Sequence, residues 1–206
     1  MCIRDRLIAA CKSDTEIVET TFDNGKIKER YSRSLIDFAK EGEFTRFYES
    51  GSIEEIAHYS KDTLNGTRIL FFENGDTSIV ETHQSGTFEG LYKSYYPGNI
   101  LKANGQYLKG EISGEWRYFY DNKQLKEVVQ FANGEENGPF IEYYANGNIK
   151  AKGTYKTTEE NIDSHKEHGE LELYNEDGTI QKKMNCNLGV CRTTWTAENE
   201  SENKTI

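Results

Sequence analysis

The stretch EYYANGNIKAKGTYK, residues 142–156, decides the fold of this chain. Two adjacent tyrosines are followed by Asn-Gly and an isoleucine, and another tyrosine stands eight residues after the glycine. Asn-Gly between runs of β-forming residues is a strong hairpin signal, and we expect this pair to supply the positive φ angles of a tight turn. The stretch therefore predicts two antiparallel strands joined by a short connection.

The same pattern recurs along the chain at a fixed interval. The glycine that opens each copy lies 24 residues from the last, and one copy carries a seven-residue insertion that lengthens the final interval to 31. These glycines are Gly42, Gly66, Gly90, Gly114, Gly138 and Gly169. Aromatic residues stand at position six after the first five glycines: Tyr48, Phe72, Tyr96, Tyr120 and Tyr144. A fixed period of this length is the signature of a repeat architecture.

Each unit predicts one β-hairpin. Positions two, four and six after the glycine should alternate onto one face of the first strand, as in Trp116, Tyr118 and Tyr120. A lone hairpin is marginally stable in water, so the units must pair side by side. We therefore predict an all-β protein, an elongated single-layer antiparallel sheet of about six tandem 24-residue β-hairpins.

The composition limits the classes of partner. The chain of 206 residues carries 35 acidic and 25 basic side chains, a formal net charge of −10. Such a surface disfavours nucleic acid, whose binding depends on neutralising phosphates, and disfavours anionic lipid for the same reason. The low apolar share of 35% argues against a thick core, whereas the 12% of aromatic residues argue against disorder.

The repeat resembles a known family, the MORN-repeat variant. The residues that carry the resemblance are the opening glycine, the paired aromatics, the Asn-Gly turn, the following isoleucine and a later aromatic, over residues 42–191. Bacterial members include YwqK-type proteins, which are named as antitoxin components. The resemblance implies a non-enzymatic surface that binds another protein, with a toxin as one candidate partner.

The N-terminus predicts a lipid anchor. LIAAC, residues 7–11, resembles a bacterial lipobox, in which Cys11 would become the acylated first residue of the mature protein. Only a hexapeptide precedes it, so we expect residues 1–11 to be the remnant of a lipoprotein signal. The alternative is an ordinary apolar pentapeptide. We expect residues 12–41 to form a lead-in with a degenerate hairpin.

The C-terminal end holds a pair of cysteines. Cys186 and Cys191 are separated by four residues just after the last hairpin, and in an exported protein we expect them to form a disulfide that pins the end of the sheet. The alternative is two independent thiols. We expect the array to end at residue 191 and residues 192–206 to form a disordered tail.

No sequence motif predicts catalysis, a metal or a cofactor. His165 and His168 form a His-x-x-His pair within the insertion, which we interpret as a solvated loop because no third ligand is evident. The paired carboxylates fall mainly in turns, which do not supply the apolar surroundings that shift a catalytic pKa.

We therefore predict a protein-binding scaffold of the bacterial cell envelope, lipid-anchored on the outer-membrane or periplasmic side, with a cytoplasmic location as the alternative. Trp116, Tyr118 and Tyr120 are the predicted binding residues, because aromatic residues are enriched at binding hot spots. The rival functions are a small hydrolase with an aromatic groove and a purely structural envelope component.

Overall fold

The computed structural model describes residues 14–158 and 161–197, and the side chains of residues 158 and 161–165 are not described. Within these ranges the chain forms one antiparallel sheet of 17 strands. The strands are β1 Thr15–Thr21, β2 Ile27–Ser34, β3 Lys40–Phe47, β4 Ile53–Ser60, β5 Thr63–Leu64, β6 Gly66–Phe71, β7 Thr77–Gln84, β8 Thr87–Tyr96, β9 Ile100–Leu108, β10 Glu111–Phe119, β11 Leu125–Ala132, β12 Glu135–Tyr143, β13 Ile149–Thr158, β14 Asn161–Glu167, β15 Gly169–Tyr174, β16 Ile180–Asn187 and β17 Val190–Thr196.

The sheet is a continuous meander. Each long strand pairs with its neighbours in sequence, as β10 does with β9 and β11. The short β5 and the inserted β14 share this order, because β4 pairs with both β5 and β6, and β13 pairs with both β14 and β15. The predicted single antiparallel sheet of tandem hairpins is confirmed.

The sheet extends beyond the predicted array at its C-terminal side. Residues 192–196, which we expected to lie in a disordered tail, belong to β17 and pair with β16. The reason is local: this strand holds three threonines and a tryptophan, residue types that favour the pleated conformation. Residues 198–206 lie outside the described residues.

The turns differ from the expected form. In the 66–89 unit only Gly75 of the Asn-Gly pair has a positive φ, 89°. The Gly75 amide donates to the carbonyl of Phe72, and the Asn74 side chain accepts from the Asp76 amide at 3.0 Å. This is a type I turn followed by a left-handed glycine, in which asparagine acts through its side chain and not through its backbone.

One face of the sheet is buried, and we call it the aromatic face. It carries positions two, four, thirteen, fifteen and seventeen of the units. Its buried apolar residues are Phe44, Ala57, Ala103, Trp116, Val129, Phe140, Ala151, Leu171 and Cys186. Large side chains lie over small ones: an added Cβ on Gly105 would lie 2.2 Å from ring carbons of Trp116. A single layer can bury aromatic rings in this way, because a ring such as that of Trp116 covers a residue that has no side chain.

Candidate interaction face

The C-terminal units hold a groove on the aromatic face with a volume of about 290 Å³. We call it the C-terminal groove, and its lining comprises Phe140, Glu142, Tyr144, Lys150, Ala151, Tyr155, Glu167, Leu171, Leu173, Tyr174 and Gln181. The rings of Phe140 and Tyr155 stack with centroids 4.1 Å apart, which fixes one wall. Lys150 donates to Glu142 at 2.8 Å across the β12–β13 pair. The groove therefore combines rigid rings with charged side chains.

Negative charge is concentrated beside this groove. Glu127 on β11 lies directly opposite Glu142 on β12 and opposite Tyr118 on β10. Burial, together with the charges of Glu136 and Glu142, raises the pKa of the Glu127 carboxyl, and the nearby lysines offset only part of this effect. Like charges facing each other across a strand pair are destabilising. A cation bound here would relieve that repulsion.

The opposite face of the same strands has its charges paired. Glu172 on β15 accepts from Lys152 at 2.7 Å, from Lys183 at 2.9 Å and from the Tyr174 hydroxyl. Hydrogen bonds from Lys152, Tyr174 and Lys183 lower the pKa of the Glu172 carboxyl to about 2. The carboxylate that is short of positive charge therefore lies on the aromatic face.

The three predicted binding residues take different positions. Trp116 is 3% exposed, and its Nε1 donates to the carbonyl of Gln106 at 3.2 Å. Tyr118 is half-buried, stacks against Trp116 at 6.1 Å, and has its pKa raised to about 12, first by burial and then by nearby carboxylates. Tyr120 follows a bulge between Tyr118 and Phe119 that interrupts the expected alternation. Of the three, Trp116 is buried, whereas the rings of Tyr118 and Tyr120 are both partly exposed.

The position-six tyrosines link neighbouring units, a role that sequence reasoning missed. The hydroxyl of Tyr120 donates to the carbonyl of Tyr143 at 2.8 Å, and Tyr144 donates to Tyr174 at the same distance. Tyr48 and Tyr96 make the equivalent bonds to Phe71 and Phe119. The choice of tyrosine over phenylalanine at position six was the available signal.

In the N-terminal units a chain of buried charges stands beside the apolar residues Phe44 and Ala57, a feature that sequence reasoning also missed. Glu55 and Glu81 are 2% and 4% exposed, and both accept from Arg68, at 2.6 and 2.9 Å. Arg46 approaches Glu55 at 3.0 Å, and His83 lies 3.0 Å from Glu81. The sequence feature that could have predicted these buried charges is Arg68 at position two of its unit. The units opened by Gly42, Gly90, Gly114 and Gly138 have an aromatic residue there.

The cysteines and histidines complete the predicted sites. Cys186 and Cys191 form a disulfide that joins β16 to β17, with an S–S distance of 2.07 Å. Cys11 and the His165 side chain lie outside the described residues, and the His168 amide donates to the Thr154 carbonyl.

Within residues 14–158 and 161–197, no three His, Cys, Asp or Glu side chains gather as metal ligands do. Over the same ranges, no helix has the length and apolar character to cross a membrane.

The fold and a family comparison together define the class of protein. Four segments match the MORN repeat variant: residues 40–61, 112–133, 136–157 and 167–185. Each contains a hairpin of the sheet or most of one. The chain therefore contains repeats of the MORN variant, as the resemblance in sequence implied.

More distant comparisons add no functional information. No curated protein matches the chain. Among solved structures, a crystal structure of TcdB2-TccC3-TEV is similar over 82% of this chain, with 8% identity and a TM-score of 0.25. A crystal structure of TcdB2-TccC3-Cdc42 is similar over 87%, with 9% identity and a TM-score of 0.24. This chain spans 12% and 11% of those chains.

Proposed function

We propose that the protein is a non-enzymatic interaction scaffold of the bacterial cell envelope that binds another protein through the aromatic face of its C-terminal units. The observation that carries the proposal is the C-terminal groove, a concavity with rigid rings next to negative charge that is incompletely compensated. Hot spots in protein interfaces are commonly aromatic residues held rigid by their neighbours. Tyr118 and Tyr155 meet this description, since both pack against the core of the sheet.

The chemistry of the face selects a basic segment of the partner. A lysine or arginine side chain placed between Tyr118 and Glu127 would gain both a cation–π contact and a carboxylate. Its positive charge would also offset the repulsion between Glu127 and Glu142. The net charge of −10 would speed the approach of such a partner.

The envelope location is supported by the cysteines at both ends. A disulfide such as Cys186–Cys191 persists in oxidising compartments, and the sequence before Cys11 resembles a lipobox. An antitoxin or immunity role, with a toxin as the basic partner, is the more specific form of the proposal and is supported by the family resemblance alone.

Binding is tested with a lysine-rich peptide as a defined probe and with envelope extract in which captured proteins are identified. We expect Glu127→Gln to weaken peptide binding about tenfold and to reduce its salt dependence. Glu111→Gln is the matched control, because Glu111 is an exposed glutamate on β10 that stands opposite Leu108 and not opposite another carboxylate. Binding that is unchanged in Glu127→Gln would exclude this face as the site.

The role of Tyr118 is tested against Trp116. Tyr118→Ala should weaken binding by about 2 kcal/mol or more while leaving the circular dichroism spectrum intact. Trp116→Ala should lower the melting temperature, because that ring is buried on Gly105. If Tyr118→Ala unfolds the protein as badly as Trp116→Ala does, Tyr118 only covers the sheet.

The anchor is tested by metabolic labelling. With a complete signal sequence placed before residue 7, the protein should incorporate labelled palmitate, and Cys11→Ser should abolish the label. Equal labelling of the variant would contradict acylation at Cys11.

A further inference from the structure

The connection between β2 and β3 exposes three large apolar side chains at one tip of the sheet. Leu35 is 50% exposed, Ile36 82% and Phe38 62%. We call residues 34–39 the apolar loop. Exposed apolar residues scattered singly need no explanation, whereas three of them within four residues of one loop form an apolar patch that calls for one. Neither the groove nor the family resemblance accounts for this patch.

The apolar loop has a defined conformation. The amide of Ser34 donates to the carbonyl of Ala39 at 2.9 Å. The amide of Ala39 in turn donates to the Asp37 carboxylate at 3.3 Å. The Ser34 hydroxyl accepts from the Ile36 amide at 3.2 Å. Phe38 is held in the left-handed region, with φ of 60°, which is unusual for a bulky residue. An ordered loop can insert its side chains without an entropic penalty for ordering the backbone.

The loop lies next to the start of the described chain. The amide of Leu35 donates to the carbonyl of Asp14 at 2.9 Å, so Asp14 lies at the base of the loop. Cys11 precedes Asp14 by three residues, which span at most about 10 Å of extended chain. An acyl chain on Cys11 would therefore bring this loop to the bilayer surface.

We propose that the apolar loop inserts Leu35, Ile36 and Phe38 into the interfacial layer of a lipid bilayer and so orients the sheet on the membrane. This deepens the proposed envelope location and rests on it. Charges of both signs lie near the loop: the Arg33 guanidinium is 5.3 Å from the centre of the Phe38 ring, and Lys61 acts electrostatically on Asp37. Apolar insertion at a zwitterionic surface fits this balance better than attraction to anionic lipid.

The test uses the full chain with Cys11→Ser, so that neither acylation nor a protein partner contributes. Its flotation with phosphatidylcholine vesicles is measured at millimolar lipid, with and without added phosphatidylglycerol. We expect measurable partitioning that Ile36→Ser/Phe38→Ser lowers at least about tenfold, because each change removes a large apolar side chain. Added phosphatidylglycerol should not strengthen it.

The matched control is Leu91→Ser/Leu108→Ser, which removes two exposed apolar residues from β8 and β9 and should leave partitioning unchanged. In parallel, brominated acyl chains should quench Ile36→Trp and not Leu91→Trp. Absence of flotation, equal loss in the control, or binding only to phosphatidylglycerol vesicles would overturn the proposal. So would a blue-shifted Ile36→Trp emission without vesicles, since a chain segment or second copy would then cover the loop. Peptide binding and palmitate labelling report separately on the proposed function.

Discussion

Single residues decide whether a one-layer sheet can bury anything. Gly105 and Gly153 stand at position fifteen, where a side chain would collide with the ring above: Trp116 over Gly105 and Phe140 over Gly153. Neither glycine has a positive φ, so backbone freedom does not explain them. Their role is to leave space for an aromatic residue of the neighbouring strand.

The first prediction concerns this space. Gly105→Ala places a Cβ 2.2 Å from the Trp116 ring, so the ring must move, and we expect a loss of about 1–3 kcal/mol in the free energy of unfolding. Denaturant unfolding measures it. In a Trp116→Leu background the same alanine should cost at least about 1 kcal/mol less. Equal costs in both backgrounds would show that the ring is not the obstacle.

The second prediction concerns Lys123, which occupies position nine of its unit, in the turn, with a φ of 71°. Four other units place a glycine at this position. A non-glycine residue in the left-handed backbone conformation costs roughly 1–2 kcal/mol of stability. Lys123→Gly should stabilise the protein by up to about 1 kcal/mol, since the greater freedom of glycine in the unfolded chain offsets part of the gain. Lys93→Gly, inside β8, should instead destabilise by about 0.5–1 kcal/mol. A melting temperature that falls in Lys123→Gly would contradict the prediction.

At the scale of the element, the repeat predicted strands better than it predicted connections. The 24-residue spacing and the aromatic alternation were sufficient to predict the hairpins and their antiparallel order. The turn type depends on the hydrogen bond that the Asn74 side-chain oxygen accepts from the Asp76 amide, which competes with the backbone conformation that Asn-Gly usually adopts. In the unit of Tyr118 the equivalent turn has Asn122, whose side-chain oxygen accepts from the Gln124 amide, and a bulge precedes it, so Tyr120 could not be placed from alternation alone.

The third prediction concerns the tyrosines that tie one hairpin to the next. Tyr120→Phe removes the hydroxyl that bonds to the Tyr143 carbonyl, and we expect a loss of about 1 kcal/mol in thermal or denaturant unfolding. Tyr143→Phe is the control, because Tyr143 takes part through its backbone. The Phe72 unit lacks this hydroxyl, so Phe72→Tyr should stabilise the protein by a similar amount. If Tyr120→Phe and Tyr143→Phe cost the same, the hydroxyl bond contributes nothing.

At the scale of the whole molecule, the two ends of the aromatic face bury different types of side chain. The C-terminal units bury rings and aliphatic side chains, whereas the N-terminal units bury Glu55 and Glu81 around Arg68. Burial alone would lower the pKa of the Arg68 guanidinium, but its hydrogen bonds to the two carboxylates raise it. The sequence predicted the site only as an aromatic region. Its acidic side arises because Glu127 and Glu142, which belong to different units, are paired across β11 and β12, and the sequence of one unit does not specify that register.

The last prediction separates the stability of the ionic units from their specificity. Arg68→Met removes the cation that the two buried carboxylates share, which leaves Glu55 with Arg46 and Glu81 with His83, and should cost about 3–5 kcal/mol. The triple change Glu55→Ala, Arg68→Phe, Glu81→Val installs the residue types of Ala151, Phe140 and Val129, which occupy the same positions in other units. We expect it to be neutral or stabilising, because apolar packing commonly replaces a buried ion pair without loss.

The same triple variant also tests specificity. Near-identical hairpins can pair one unit out of register, and the distinct charges of the N-terminal units disfavour this mispairing. The triple variant should therefore unfold less cooperatively, with a smaller denaturant slope. A triple variant as unstable as Arg68→Met would mean that the ion pairs themselves stabilise the N-terminal units.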